Sequence, residues 1–254
     1  MRKEYPILEF DPERKALIEP SNHIQPADVG EHCVICFFRE VLRKVRQEYT
    51  ARQIYEFRAE CDIEHVYEIE YNGQQLGLIH PMVGAPLAAG VLEEAIALGY
   101  RKFVVCGGAG VLDKEVSIGH LIVPVSAVRD EGTSYHYLPP SREVFASPAA
   151  VAAIEKTLEE HGVEYIKSKT WTTDAYYRET PSRIKLRKAE GCLTVDMEAA
   201  AFFAVAEFRG VQLGQILYGG DDVSGLEHDS RKWSSRKDIR ERLFHLAAEA
   251  CLGM

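Results

Sequence analysis

The sequence predicts a single three-layer α/β domain, for three reasons. From residue 33 onward, short apolar runs alternate with longer amphipathic segments, the rhythm of a sheet flanked by helices. No Gly/Ser-rich linker divides the middle of the chain, and 254 residues are enough for one large core. The first thirty residues stand apart, because Pro6, Pro12, Pro20 and Pro26 break every periodic pattern there. Residues 1–30 are therefore expected as an irregular arm on a domain formed by 31–254, wrapping either its own domain or a neighbouring subunit.

The elements follow in order. CVICFF (33–38) is a strand, and a helix is expected from Arg39 to Tyr49. YEIEYNGQQLGLIHP (67–81) holds two extended runs around Asn72-Gly73, a pair suited to the positive φ angles of a type I′ turn, so a hairpin is expected. Pro86 to Leu98 is a helix with Pro in its first turn and Gly99 as its stop. The strand FVVC (103–106) follows, ending on a glycine-rich turn, CGGAG, and HLIVPVSAV (120–128) is the next extended run. Ser147 is placed to cap a helix that has Pro148 in its first position and Gly162 at its end. After the strand VEYIKSKTW come a charged segment, a short strand at 192–195, a long helix through MEAAAFFAVAEF and the strand QLGQILYGG. The last helix, SSRKDIRERLFHLAAEACL, carries a capping pattern (Ser235, then Asp238) and an Ile239/Leu243/Leu246/Ala247/Ala250 stripe.

Composition narrows the function. The net charge of −9 argues against a broad polynucleotide-binding surface. No apolar run approaches the roughly 20 residues of a membrane span, and the N-terminus lacks the apolar stretch of a signal peptide, so a soluble, cytoplasmic protein is expected. The six cysteines lie mostly in apolar surroundings, as reduced buried thiols do. Cys33 and Cys36 have the spacing of a redox pair, but a strand points them to opposite faces, and no second Cys/His pair completes a zinc site; no metal is expected. The basic stretch Arg231 to Arg242 reads as the solvated start of a helix, since Asp238, Glu241 and the apolar stripe are interleaved with it.

Three segments carry chemistry. CGGAG has no GxGxxG register and is not followed directly by a helix, so a dinucleotide site is rejected; the exposed amides around Gly107, Gly108 and Ala109 could approach a sugar or an anion, or simply form a tight turn. In VDMEAAAFF, Asp196 and Glu198 flank Met197 at the mouth of an apolar helix. This suits a ribose, with the thioether against the ring and a carboxylate on two hydroxyls, although acids in a first helical turn also complement the helix dipole. Asp221 and Asp222 follow a buried-looking strand, where open α/β sheets place ligand groups; partial burial would raise one of them to serve as a general acid.

Taken in order, VGAPLAAGVLEEAIALGY, CGGAG, SIGHLIVP, DEGTSYHY, TTDAYYRE, VDMEAAA and GGDD resemble the nucleoside phosphorylase/nucleosidase superfamily, which includes purine nucleoside phosphorylases, uridine phosphorylases and methylthioadenosine nucleosidases. The resemblance runs from about Cys33 to the C-terminus. It implies a mixed, partly barrel-like central sheet, a homo-oligomer (dimer, trimer or hexamer) and a small nucleoside substrate, while the charge and the lack of a long apolar run lead us to expect no polynucleotide or membrane partner. It makes Glu198 the partner of the ribose hydroxyls, Met197 a wall of the sugar pocket, Tyr176 the ring that stacks on the base and Asp221 the acid that meets a purine. Arg178 lies in the base-recognition segment, and a purine-like base is favoured.

The chain departs from the family at the anion site. The arginine and Ser/Thr that phosphorylases carry near the turn after the FVVC-like strand align with Val105 and Gly108, and the glycine-aspartate-proline-x-arginine loop after the first strand is replaced by CFFREV. Arg39, together with Arg14 of the arm, is expected to hold phosphate as co-substrate, which makes the reaction phosphorolysis within purine salvage. The alternative is a hydrolytic nucleosidase in which Glu40 activates water, and a second alternative is a protein that binds a nucleoside without cleaving it.

Overall fold

The computed structural model describes residues 2–60, 62–225 and 227–254. The arm holds a single turn at Pro6–Leu8 and the short helix α1 (Pro20–His23). It lies along its own domain: the Ala27 amide donates to the Leu98 carbonyl at 2.9 Å, and Glu19 accepts from Arg209 at 2.6 Å. Next come β1 (His32–Cys36), α2 (Arg39–Glu48), β2 (Arg52–Ala59), β3 (Asp62–Tyr71), β4 (Gln74–Ile79) and α3 (Ala85–Leu98). β3 and β4 form the expected hairpin, with Asn72 at φ 50° and Gly73 at φ 76° in the turn and Tyr71 opposite Gln74. β2 extends the sheet by a second hairpin that the sequence did not announce.

β5 (Lys102–Val111) corrects the expectation of a turn. It runs straight through Gly107, Gly108 and Gly110, none of which has a positive φ. Their value is thinness: a Cβ on Gly107 would sit 3.0 Å from the Phe37 ring, one on Gly108 3.0 Å from Tyr218, and one on Gly110 3.0 Å from Val195. β6 (Leu121–Asp130), β7 (Glu143–Phe145), α4 (Pro148–Glu160), β8 (Tyr165–Thr173), α5 (Pro181–Ala189), β9 (Cys192–Asp196), α6 (Ala199–Arg209), β10 (Gln212–Asp222) and α7 (Lys237–Leu252) complete the chain. α5 falls in the segment expected only to be charged, and β10 includes Asp221 and Asp222 rather than ending before them.

The strands form one mixed sheet in the order β10-β6-β8-β9-β5-β1-β4-β3-β2, and β10 also pairs with β5. That extra pairing closes β5, β9, β8, β6 and β10 into a five-stranded barrel, from which β1, β4, β3 and β2 continue as an open sheet. α3 packs on α6, while α4 and α2 pack on α7, so helices cover the sheet in two groups. α6 is buried from Ala199 to Ala206, with Phe202 and Phe203 wholly inside, each stabilising the fold by about 1.5–3 kcal/mol.

Two expected caps are absent. The Ser147 hydroxyl accepts from the Leu213 amide at 2.9 Å instead of capping α4, and Ser235 lies in a separate turn, donating to the Lys232 carbonyl. Cys33, Cys36, Cys106, Cys192 and Cys251 are buried free thiols, as expected; Cys61 lies outside the described residues. Among the described residues no helix is long and apolar enough to cross a membrane.

Gly77 on β4 lies beneath the buried Tyr100 ring, where a Cβ would stand 2.5 Å from Cε1. Gly77→Ala should therefore destabilise the protein by about 1–3 kcal/mol in a denaturant titration. The Tyr100 hydroxyl is buried without a hydrogen-bond partner among the described residues, so Tyr100→Phe should leave stability unchanged or raise it by up to about 1 kcal/mol.

Candidate active site

A cleft of about 870 Å³ opens at the ends of β5, β9 and β10, under the turn Tyr176–Arg178 and the N-terminal part of α7. Its floor is built by Asp196. Oδ1 accepts from the Thr172 hydroxyl at 2.9 Å and from the amides of Glu198 and Ala199 at 3.0 and 2.9 Å, while Oδ2 accepts from the Thr170 hydroxyl at 2.6 Å. Burial pushes the Asp196 carboxyl up, and these four donors pull it back. Asp196 thus joins β8 and β9 to the start of α6, and its oxygens are already occupied where the sequence suggested a sugar ligand.

Glu198 is the residue this arrangement delivers to the cleft. It sits at the N-cap of α6, 6% exposed, with Oε1 accepting from the Gly84 amide at 2.7 Å and Oε2 from the Met197 amide at 3.3 Å. Gly84 has φ 95°, a conformation that suits glycine. Burial, followed by the Asp196 charge, pushes the Glu198 carboxyl up to about 8 against the pull of the two amides. Met197 and Val83 line the cleft beside it.

The cleft has two unlike ends. At one, the mutually tilted rings of Tyr176 and Tyr177, with centroids 4.2 Å apart, line the wall with Glu179 and with Asp221, whose Oδ2 lies 2.9 Å from His228 Nε2. Burial and then the Asp221 charge push the Glu179 carboxyl up to about 7. At the other end, Phe37 and Phe38 meet Arg240, the only arginine or lysine lining the cleft among the described residues. Arg240 is 8% exposed, held by Glu40 Oε1 at 2.6 Å and the Tyr218 hydroxyl at 3.3 Å, with its guanidinium over the rings of Phe38 and Trp233. Burial pushes Glu40 up, but the Arg240 hydrogen bond and charge outweigh it and hold the carboxyl below its ordinary range.

The structure brings Glu198, Met197, Asp221, Tyr176, Gly108 and Ala109 to one cavity, with Asp196 beneath and Glu40 behind Arg240. It does not bring the others. Gly107 is buried in β5, and Arg178 is exposed beyond the wall. Asp222 is used by the Arg231 guanidinium and the Ser224 amide. Arg39 pairs with Glu64 at a separate cavity of about 60 Å³, and Arg14 packs on Phe208 and its carbonyl. Neither proposed phosphate arginine reaches the cleft. Arg240, Glu179 and His228 are the residues sequence reasoning missed. For Arg240 the signal was present: it lies three, four and seven residues before Leu243, Phe244 and Ala247, all buried, so the stretch read as a solvated helix start turns one arginine inward.

With this geometry in hand, the comparisons identify the family. Residues 31–250 match the family model described as the phosphorylase superfamily, and the chain belongs to that enzyme family. It is 29% identical over 195 residues to guanosine phosphorylase of Halorubrum lacusprofundi, covering 73% of this chain and 79% of that one. Uridine phosphorylase from Vibrio fischeri superposes with a TM-score of 0.76 at 23% identity, over 91% of this chain and 95% of that one. AMP nucleosidase from Bacteroides thetaiotaomicron superposes at 0.69 with 22% identity, over 88% and 87%.

A raised carboxyl makes stability depend on pH. Glu198 keeps its proton more readily in the folded than in the unfolded chain, so its contribution is full below about pH 4.5 and is lost as pH rises through about 8. Glu198→Gln removes that dependence. Its melting temperature relative to the parent should rise by at least ~2 °C between about pH 5.5 and about pH 9 in calorimetric scans.

Proposed function

We propose that the protein cleaves the N-glycosidic bond of a nucleoside by phosphorolysis, releasing the free base and a pentose 1-phosphate. The observation that carries this is the convergence of Glu198 and Asp221 on one cleft, with an apolar and aromatic wall beside them. Breaking the bond sends its electron pair to the base and leaves the sugar carbon cationic, so a proton donor is needed on one side and negative charge near the other. Asp221 supplies the proton, and His228, with Nε2 2.9 Å from its Oδ2, holds the carboxyl in place. Glu198 accepts the pentose hydroxyls and, as the sugar becomes cationic, its carboxylate form is favoured by the charge opposite. The tyrosine wall stacks on a purine-like base.

Arg240 is the cation for the acceptor. A phosphate oxygen forms the new bond to the sugar carbon as the bond to the base breaks, while the guanidinium balances the remaining charge, and phosphate takes over the contact that Arg240 makes with Glu40. The guanosine and uridine phosphorylases to which the chain is similar support the same reaction. One observation favours hydrolysis as a second reading. Among the described residues five carboxyl residues line the cleft against one arginine, and Glu40, bonded to that arginine, would be the base that takes a proton from water if Arg240 released it.

Base release from purine nucleosides should require phosphate; equal release with and without it means hydrolysis, and saturable binding with no release means a binding protein. Asp221→Asn should lower kcat by about 10²–10⁴-fold with little change in KM, and an unchanged kcat removes the acid assignment. Arg240→Met should raise the KM for phosphate by about 10- to 100-fold, while Arg39→Ala leaves it alone.

A further inference from the structure

We propose that the small cavity beneath α2 is a second anion site, separate from the cleft, which binds one phosphate group through Arg43 and Arg46, with Arg39 beside them. The inference stands apart from the cleavage reading, because the cavity shares no lining residue with the cleft.

The sequence sets three arginines on one face of a helix. Arg39, Arg43 and Arg46 are spaced four and then three residues apart, so their side chains follow one another along α2. Val41, Leu42 and Val45 bury the neighbouring side of the helix. The arginines therefore meet the strands beneath: Glu64, His65 and Tyr67 of β3, Leu78 of β4 and His80 just beyond it. The cavity between them measures about 60 Å³. That is room for a small ion, far below the roughly 300 Å³ at which pockets for drug-sized ligands begin.

Charge sets this cavity apart in a chain whose net charge is −9. Like charges at these helical spacings repel, and among the lining residues a single carboxylate answers three guanidiniums. Glu64 is paired with Arg39. Burial, followed by the Arg39 charge, holds the His80 imidazole down to about 4, so it is neutral near pH 7. Two positive charges are left unbalanced at one small space. Among the described residues no hydrogen bond or ion pair engages Arg43. Arg46 lies with its guanidinium 4.2 Å over the Tyr67 ring, while its Nε–H is buried without an acceptor. A ring face attracts the cation but leaves the in-plane N–H groups unfilled, which is unfavourable until a ligand accepts from them.

The chemistry of the missing partner follows. It carries two negative charges, presents several acceptor oxygens to planar guanidinium donors and fits a space the size of one ion, which describes a phosphate group. A single carboxylate balances half the charge. Arg43 is exposed, so the cavity opens on its side and admits the group either as the free ion or at the end of a small phosphate ester.

The test is equilibrium dialysis of radiolabelled inorganic phosphate against the full-length protein carrying Arg240→Met, which removes the one guanidinium that lines the cleft among the described residues. At about pH 8 this variant should still bind one phosphate per chain. Adding Arg43→Gln or Arg46→Gln should each weaken that binding by about 10- to 100-fold, and Arg46→Lys, which keeps the charge but loses the fork, should weaken it less. Because Arg43 is exposed, its replacement leaves the fold intact and decides the matter even where Arg46→Gln lowers the melting temperature. Ribose 5-phosphate separates the two sources: displacement of the label assigns a phosphate ester, no displacement assigns the free ion, and both support the site. No binding in Arg240→Met, or binding that neither added glutamine weakens, would overturn it.

Discussion

The site depends on the Asp196 carboxylate. Four donors from one strand and one helix start meet on its two oxygens, so the end of β9, the threonines of β8 and the first turn of α6 are locked to one another. Everything that gives Glu198 its properties follows from that lock. The backbone leaves the barrel at Asp196, turns within two residues and places Glu198 at the N-cap with its carboxyl against Gly84. A buried acid with both oxygens hydrogen-bonded holds the frame, and the neighbouring acid, with fewer donors from the protein, lines the cleft. Two carboxyls two residues apart thus differ because four donors, two of them hydroxyls, meet the first and only two amides meet the second.

Closure of the barrel is the second constraint. Once β10 pairs with both β5 and β6, the three glycines of β5 cannot carry side chains without meeting Phe37, Tyr218 and Val195. The absence of Cβ atoms there keeps the backbone thin where the cleft is cut into it. It also lets Tyr218 come close enough to present its hydroxyl to Arg240. The Arg240 end of the cleft is therefore set by residues far apart in the chain: an aromatic from β10, a phenylalanine after β1 and an arginine from α7.

Much of the molecule was legible in the order of its residues, and what was not has physical causes. The strand and helix rhythm, the Asn72-Gly73 turn, the Gly99 stop and the stripe of α7 all rest on local preferences that tertiary contacts did not overrule. β2 escaped notice because most of its side chains are exposed or half-exposed, so no clean alternation marks it. Ser147 and Ser235 looked like caps, but their hydroxyls were claimed by other backbone groups. The glycines of β5 read as a turn because flexibility and the need for thin backbone look alike in one dimension. At the site, Glu198, Met197 and Asp221 were visible as a motif, whereas Arg39 and Arg14 were chosen for their position near the first strand and the arm, and both side chains point elsewhere. Arg240 was hidden among basic neighbours, of which Lys232, Lys237 and Arg242 are exposed.

The Arg240–Glu40 pair has an effect beyond geometry. Because Glu40 is tethered one helix away, its carboxylate stands at high effective concentration over the guanidinium, and any arriving anion competes with an incumbent rather than filling a bare site. Singly charged ions at ordinary salt bring no more charge than that incumbent and lack its tether. A doubly charged one brings more, so the protein's own side chain acts as a filter on which anions from the surrounding solution can settle against Arg240.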